Sequence, residues 1–243
     1  MTKNKPLQLV KEFLKEHQMI SENEIKKLVP STSKLGFYLY ETMSDEFLVI
    51  NENDLFPLAS ISKLLTAIMG LLKNPNIERK VILDSISKHC GTSYKKIIET
   101  ISDIEINQEL KKLNIDLHVH ENNQDKVRNR GTAKGVFDIL FGLLKGTIIS
   151  DYSKELIIEG LKLQNDLDGF RFTKEYNWIH MTGGLDGVCN DVGYVELGGR
   201  KIIVIALLET KDPNVEWHEL ESTLLEIGKY IMEDYKNRKD WDK

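Results

Sequence analysis

The 243-residue chain lacks most of the marks by which several large protein classes are read. It has only two cysteines, Cys90 and Cys189, far apart and without metal-ligand spacing. They read as free thiols of a reducing compartment rather than as a disulfide framework or a zinc site. His118 and His120 alternate along one short segment, but without a third nearby ligand they do not define a metal site either. No stretch approaches the roughly 18 to 20 uninterrupted apolar residues that a membrane-spanning helix needs. The opening MTKNKPLQLVKEFLKEHQ carries lysines but no apolar block and no small-residue cleavage site, so a secretory signal peptide is not read and a cytoplasmic location is expected. Positive charge is not in excess: 33 Lys and Arg against 38 Asp and Glu give a net charge of -5. That balance offers no basic footprint for nucleic acid, and no cofactor is indicated. There is no repeat, low-complexity tract or flexible linker to separate domains, so one unit over 1–243 is expected.

Apolar periodicity supplies the positive signals. Leu7, Leu9, Val10, Phe13 and Leu14 fall at helical spacing within 7–17, and Trp217, Leu220, Leu224, Leu225, Ile227 and Ile231 do so near 216–236. Five β-rich segments lie between these ends: 36–42, 46–50, 177–181, 192–197 and 201–209. Gly198-Gly199 reads as the turn of a hairpin joining the last two. From about Ser60 to Leu163 the pattern is helical, as in LLTAIMGLL and GVFDILFGLL. The expected fold is therefore α+β: a five-stranded antiparallel sheet with helices at both ends, built from about 1–59 and 164–243, plus an all-helical lobe over about 60–163. Two such lobes would share one core and meet in a cleft.

One segment suggests chemistry. FPLASISKLLTAIMGLL (56–72) sets Ser60 after a loop and at the head of an apolar helix, with Lys63 one turn later. Residues three apart share a helix face, so the amine can approach the hydroxyl. Backbone N–H groups at a helix start favour an attacking alkoxide, and a neutralised amine can act as general base. Ser-x-x-Lys alone decides nothing, because Ser31/Lys34, Ser85/Lys88 and Ser93/Lys96 repeat it. The Ser60 copy differs in opening a long apolar helix, although a serine there also suits a simple N-cap.

With FPLASISK, the segment WIHMTGGLDGVCNDVGYVEL (178–197) resembles the class A β-lactamase and penicillin-binding family. There a Ser-x-x-Lys helix faces a strand carrying Lys-Thr-Gly, and Asn-Asp precedes the next strand. Here the strand reads His180-Met181-Thr182-Gly183, then Gly184, with Asn190-Asp191 following. Leu163-Gln164-Asn165 and Arg128-Asn129-Arg130-Gly131-Thr132 extend the likeness, which spans roughly 30–235. The resemblance implies the β-lactamase/transpeptidase-like fold, with Ser60 as nucleophile, Lys63 as base and the N–H groups of Ser60 and Gly184 as oxyanion donors. It also implies a substrate-binding role for Thr182. His180 suits either the site or strand packing.

Three departures accompany the likeness. Where the family has Ser-Asp-Asn, this chain reads Cys90-Gly91-Thr92, with Ser93 next to take the proton-relay role in place of Cys90. Thr92 stands for the substrate-binding asparagine, and Met181 replaces the lysine that receives a carboxylate. Loss of that cation removes a charge-assisted contact worth on the order of 1.5–3 kcal/mol. Glu121 stands where some members carry the deacylating acid, but so near Gly131 that a solvated surface carboxylate is an equally available reading. These residues imply acyl transfer through Ser60 on a small amide or ester other than ordinary penicillins, with weak or no β-lactam hydrolysis. The alternative is a silent relative that binds a ligand or protein partner in the cleft.

Overall fold

The computed structural model describes residues 20–120, 128–166, 168–172, 176–197 and 199–237. The expected helix at 7–17, Gly198 of the expected hairpin turn, and Glu121 lie outside them. Helix α1 (Glu22–Leu28) precedes strands β1 (Ser33–Glu41) and β2 (Phe47–Ile50), and the short β3 (Phe56–Pro57) runs into α2 (Ile61–Lys73). Helices α3 (Arg79–Ser87), α4 (Gly91–Ile98) and α5 (Asp103–Lys112) follow, then β4 (Leu117–His118) and β5 (Arg130–Gly131). After α6 (Ala133–Lys145) and α7 (Asp151–Lys162), strands β6 (Asn177–Leu185), β7 (Val188–Leu197) and β8 (Arg200–Thr210) lead to α8 (Trp217–Asn237).

The antiparallel sheet has the order β2-β1-β8-β7-β6. β8 lies at its centre, which explains its unbroken apolar run: a strand buried on both faces has no polar side to alternate with. Ile203, Ile205 and Leu207 face the helices of the middle segment, while Ile202, Val204, Ala206 and Leu208 face α1 and α8. The hydrophobic residues therefore form two clusters, one on each side of the sheet, and not the single shared core expected from the pattern.

The middle segment is also not wholly helical. β5 pairs with both β3 and β4, so Phe56↔Gly131 and Leu117↔Gly131 tie the approach to α2 into a second, three-stranded sheet. A β carbon at Gly131 would meet Leu117 Cδ2 at 2.2 Å, which is why glycine stands at that crossing. Local signals in the sequence explain the helix ends. Thr132 accepts a hydrogen bond from Gly135 N at the head of α6, and Gly146 closes that helix with φ 68°. The capping box Ser102/Glu105 starts α5. β6 and β7 are longer than periodicity indicated, so Thr182–Gly184 and Asn190-Asp191 lie within strands, with the turn at Asp186-Gly187.

A close approach between helices sets up the site. A β carbon at Gly70 of α2 would sit 2.7 Å from Ile97 Cγ2, so the glycine lets α4 pack directly on α2. This contact brings Tyr94 of α4 over the first turn of α2, where Lys63 Nζ lies 5.9 Å from its ring centre. No described helix is long and apolar enough to cross a membrane.

Candidate active site

Helix α2 is buried at every position from Ile61 to Leu71, and Lys63 is enclosed with the apolar residues at 1% exposure. Its Nζ donates to Ser60 Oγ at 2.9 Å. Ser60 itself is 8% exposed and stands immediately before α2, yet its hydroxyl caps no helix N–H. The N-cap alternative thus describes its position and not the bonding of its side chain. On the far side of the amine, burial raises the Tyr94 hydroxyl to about 12 despite its hydrogen bonds with Thr66 and Ser62, so it remains a neutral phenol.

The turn that presents Ser60 is strained and held from three directions. Ala59 has φ 49°, a left-handed conformation that a side chain disfavours. Asn190 of β7, 1% exposed, donates its Nδ2 to Pro57 O at 2.9 Å and Leu58 O at 3.2 Å, while its Oδ1 accepts from Leu208 N at 3.1 Å. Leu58 N donates to Asn129 O at 2.8 Å, which fixes the turn to the segment before β5. Gly183 of β6 supplies the third contact, since a β carbon there would lie 3.0 Å from both Leu58 O and Ile61 Cγ1.

A cavity of about 270 Å³ opens in front of Ser60. Thr182, Gly183 and Gly184 of edge strand β6 form one side, and Trp217 of α8 closes over Gly184, whose β carbon would meet its Cη2 at 2.5 Å. The opposite side carries His89, Asp166 and Asp168. Thr182 Oγ1 donates to Asp166 Oδ2 at 3.0 Å, and His89 Nε2 stands 3.5 Å from the same hydroxyl and 2.8 Å from Gln164 Nε2. Burial raises the Asp168 pKa, and the like charge of Asp166 adds to this; Arg171 partly offsets it. An acyl group at Ser60 would therefore have its carbonyl beside the Ser60 and Gly184 backbone, with an imidazole and two carboxylates facing it.

The other residues singled out from the sequence lie elsewhere. Met181 points away from the cavity and is wholly buried in the helical-side cluster. His180 pairs through Nδ1 with Asp191 Oδ1 at 2.8 Å, and lines a neighbouring cavity of about 380 Å³ that shares Asp166 and Asp168. Asp191, fully buried, also accepts from Phe170 N and Trp178 Nε1. Cys90, Thr92 and Ser93 begin α4 and do not line the Ser60 cavity. The backbone N–H and hydroxyl of Ser93 hold the Cys90 thiol below its ordinary range. Sequence reasoning missed His89, Asp166, Asp168 and Trp217. The first follows α3 with φ 51°, a backbone feature with no pattern to announce it, and Trp217 is readable only as an apolar helix position. Among the described residues, no group of three His, Cys, Asp or Glu could hold a metal ion.

A family model described as the beta-lactamase enzyme family matches residues 91–235. No curated protein matches this sequence. Among solved structures, PBP-A superposes with a TM-score of 0.77 at 14% identity, covering 88% of this chain and 95% of that one; it has been seen as an acyl-enzyme complex with penicillin G. A β-lactamase from Chitinophaga pinensis gives 0.76 at 15% identity, with 87% and 97% covered. One from Sphaerobacter thermophilus gives 0.74 at 17%, with 89% and 97% covered. These similarities show a β-lactamase-like fold.

Proposed function

The chain belongs to the beta-lactamase enzyme family, and on that premise we propose that it is a serine hydrolase working through an acyl-enzyme at Ser60, on an amide or ester that is not an ordinary penicillin. The observation that carries this reading is the 2.9 Å contact of Lys63 Nζ with Ser60 Oγ at the mouth of a cavity bounded by Gly184. Ser60 Oγ bonds to the acyl carbon and its proton passes to the Lys63 amine. Burial disfavours a charged amine, which suits a group that must accept a proton. Negative charge on the carbonyl oxygen is met by the Ser60 and Gly184 N–H groups, which need no side chain. As the bond to the leaving group breaks, that group takes up a proton. His89 is the imidazole available in the cavity to relay it, a task to which that side chain is suited at neutral pH. Water then cleaves the ester to Ser60.

Departure from penicillins is supported by Met181, which puts a buried thioether where the family has a lysine. The test is intact-mass detection of a fluorophosphonate adduct. One adduct per chain, absent from Ser60→Ala, is the expected result. A folded protein that takes no adduct would leave the silent, ligand-binding alternative in its place.

A further inference from the structure

The side of the cleft that would receive an anionic group carries acid instead. Three separate observations point the same way. Met181 presents no cation to the cavity. The hydroxyl of Thr182, a donor suited to a substrate carboxylate, is already given to Asp166 at 3.0 Å. Asp166 and Asp168 both line the cavity that holds Ser60, and among its described lining residues there is no lysine or arginine. The nearest guanidinium, Arg171, lines the neighbouring cavity and is ion-paired with Glu221. The remaining charge at the site, Lys63, lies beneath Ser60 and is bonded to it. Opposite the acids, the half-buried Trp217 offers an aromatic wall, a surface that attracts cations.

We propose that the substrate is an acyl compound bearing an ammonium group, an aminoacyl amide or ester, with its carbonyl at Ser60 and its ammonium held by Asp166 and Asp168 beside Trp217. This rests on the acyl-enzyme reading for its chemistry but not for its charge preference. An ammonium there would replace like-charge repulsion between carboxylates with two charge-assisted hydrogen bonds. A carboxylate in the same place would be repelled and would find the threonine hydroxyl occupied.

Binding and turnover separate the two claims. Butylammonium and butyrate are titrated into the full chain, following the Trp217 indole and Gly184 amide in nitrogen–proton correlation spectra. Saturable shifts with butylammonium and none with butyrate are expected. Asp166→Asn with Asp168→Asn should weaken butylammonium by about ten-fold or more, the loss expected for a charge-assisted bond. Should the double variant not fold, Asp168→Asn alone is read against Asp168→Glu, which keeps the charge. Equal or tighter binding of butyrate, or unchanged butylammonium affinity in the charge-removing variant, would overturn the proposal. In the second arm, the β-alanyl p-nitrophenyl ester is compared with its propionyl counterpart, and the aminoacyl ester should show the higher kcat/KM. A propionyl preference with normal Ser60 labelling would defeat the substrate class alone, whereas missing labelling with intact butylammonium binding would defeat the acyl-enzyme reading alone.

Discussion

Replacing Asn190 with alanine should release the turn that presents Ser60, and the size of the effect follows from its bonds. The side chain is 1% exposed and makes three hydrogen bonds, to Pro57 O, Leu58 O and Leu208 N. Leu58 O keeps Ile61 N as a partner, so its loss is small. Leu208 N–H is a donor in the central strand and Pro57 O an acceptor under the turn; leaving each without its side-chain partner costs about 1–3 kcal/mol. A total near 3 kcal/mol corresponds to a Tm lower by roughly 6–12 °C for a chain of this size. Function should suffer beyond stability, because Ala59 keeps its left-handed backbone only while its surroundings hold it. A displacement of Ser60 by ~1 Å costs on the order of a hundred-fold in acylation. Thermal melts and the second-order rate of fluorophosphonate labelling, both taken well below the variant's Tm, measure the two effects. A variant that melts within a degree or two of the parent and labels at the parent rate would refute the claim that Asn190 positions the nucleophile.

Three further outcomes follow from the same geometry. Gly183→Ala places a carbon 3.0 Å from Leu58 O, so β6 must move off the Ser60 turn; a loss of about 1–3 kcal/mol in urea unfolding, with slower labelling, is expected. Asp168→Asn should raise Tm at neutral pH. The folded carboxyl holds its proton more tightly than the unfolded one, so the parent loses stability as pH rises through the folded pKa; the variant's advantage should vanish below about pH 4 in melts across a pH series. Iodoacetamide at about pH 8 should modify Cys90 in the native protein, its thiol being held low by Ser93, and spare Cys189, which burial pushes up; peptide mapping reads the ratio.

Much of the frame was legible in the residues. The apolar run of β8 and the helical spacing along α8 come directly from burial on two faces and on one, and periodicity reports burial. The Ser60 and Lys63 pairing is local, three residues along one helix, so spacing alone can suggest it. His89, Asp166, Asp168 and Thr182 converge from the end of α3, the segment after α7 and the edge strand, contacts that no local pattern contains. Met181 shows the limit of alignment by motif. The position in HMTGG matches the family's lysine, but an uncharged thioether joins the core instead of reaching for substrate. The second sheet escaped notice because strands of two residues are too short to display alternation.

The most direct measurement is the pre-steady-state release of p-nitrophenolate from an activated ester. The account predicts a burst of one equivalent per chain, lost in Ser60→Ala and slowed by about a hundred-fold or more in Lys63→Met, the usual share of a general base. A folded protein without a burst, or an unchanged burst in Ser60→Ala, would contradict it.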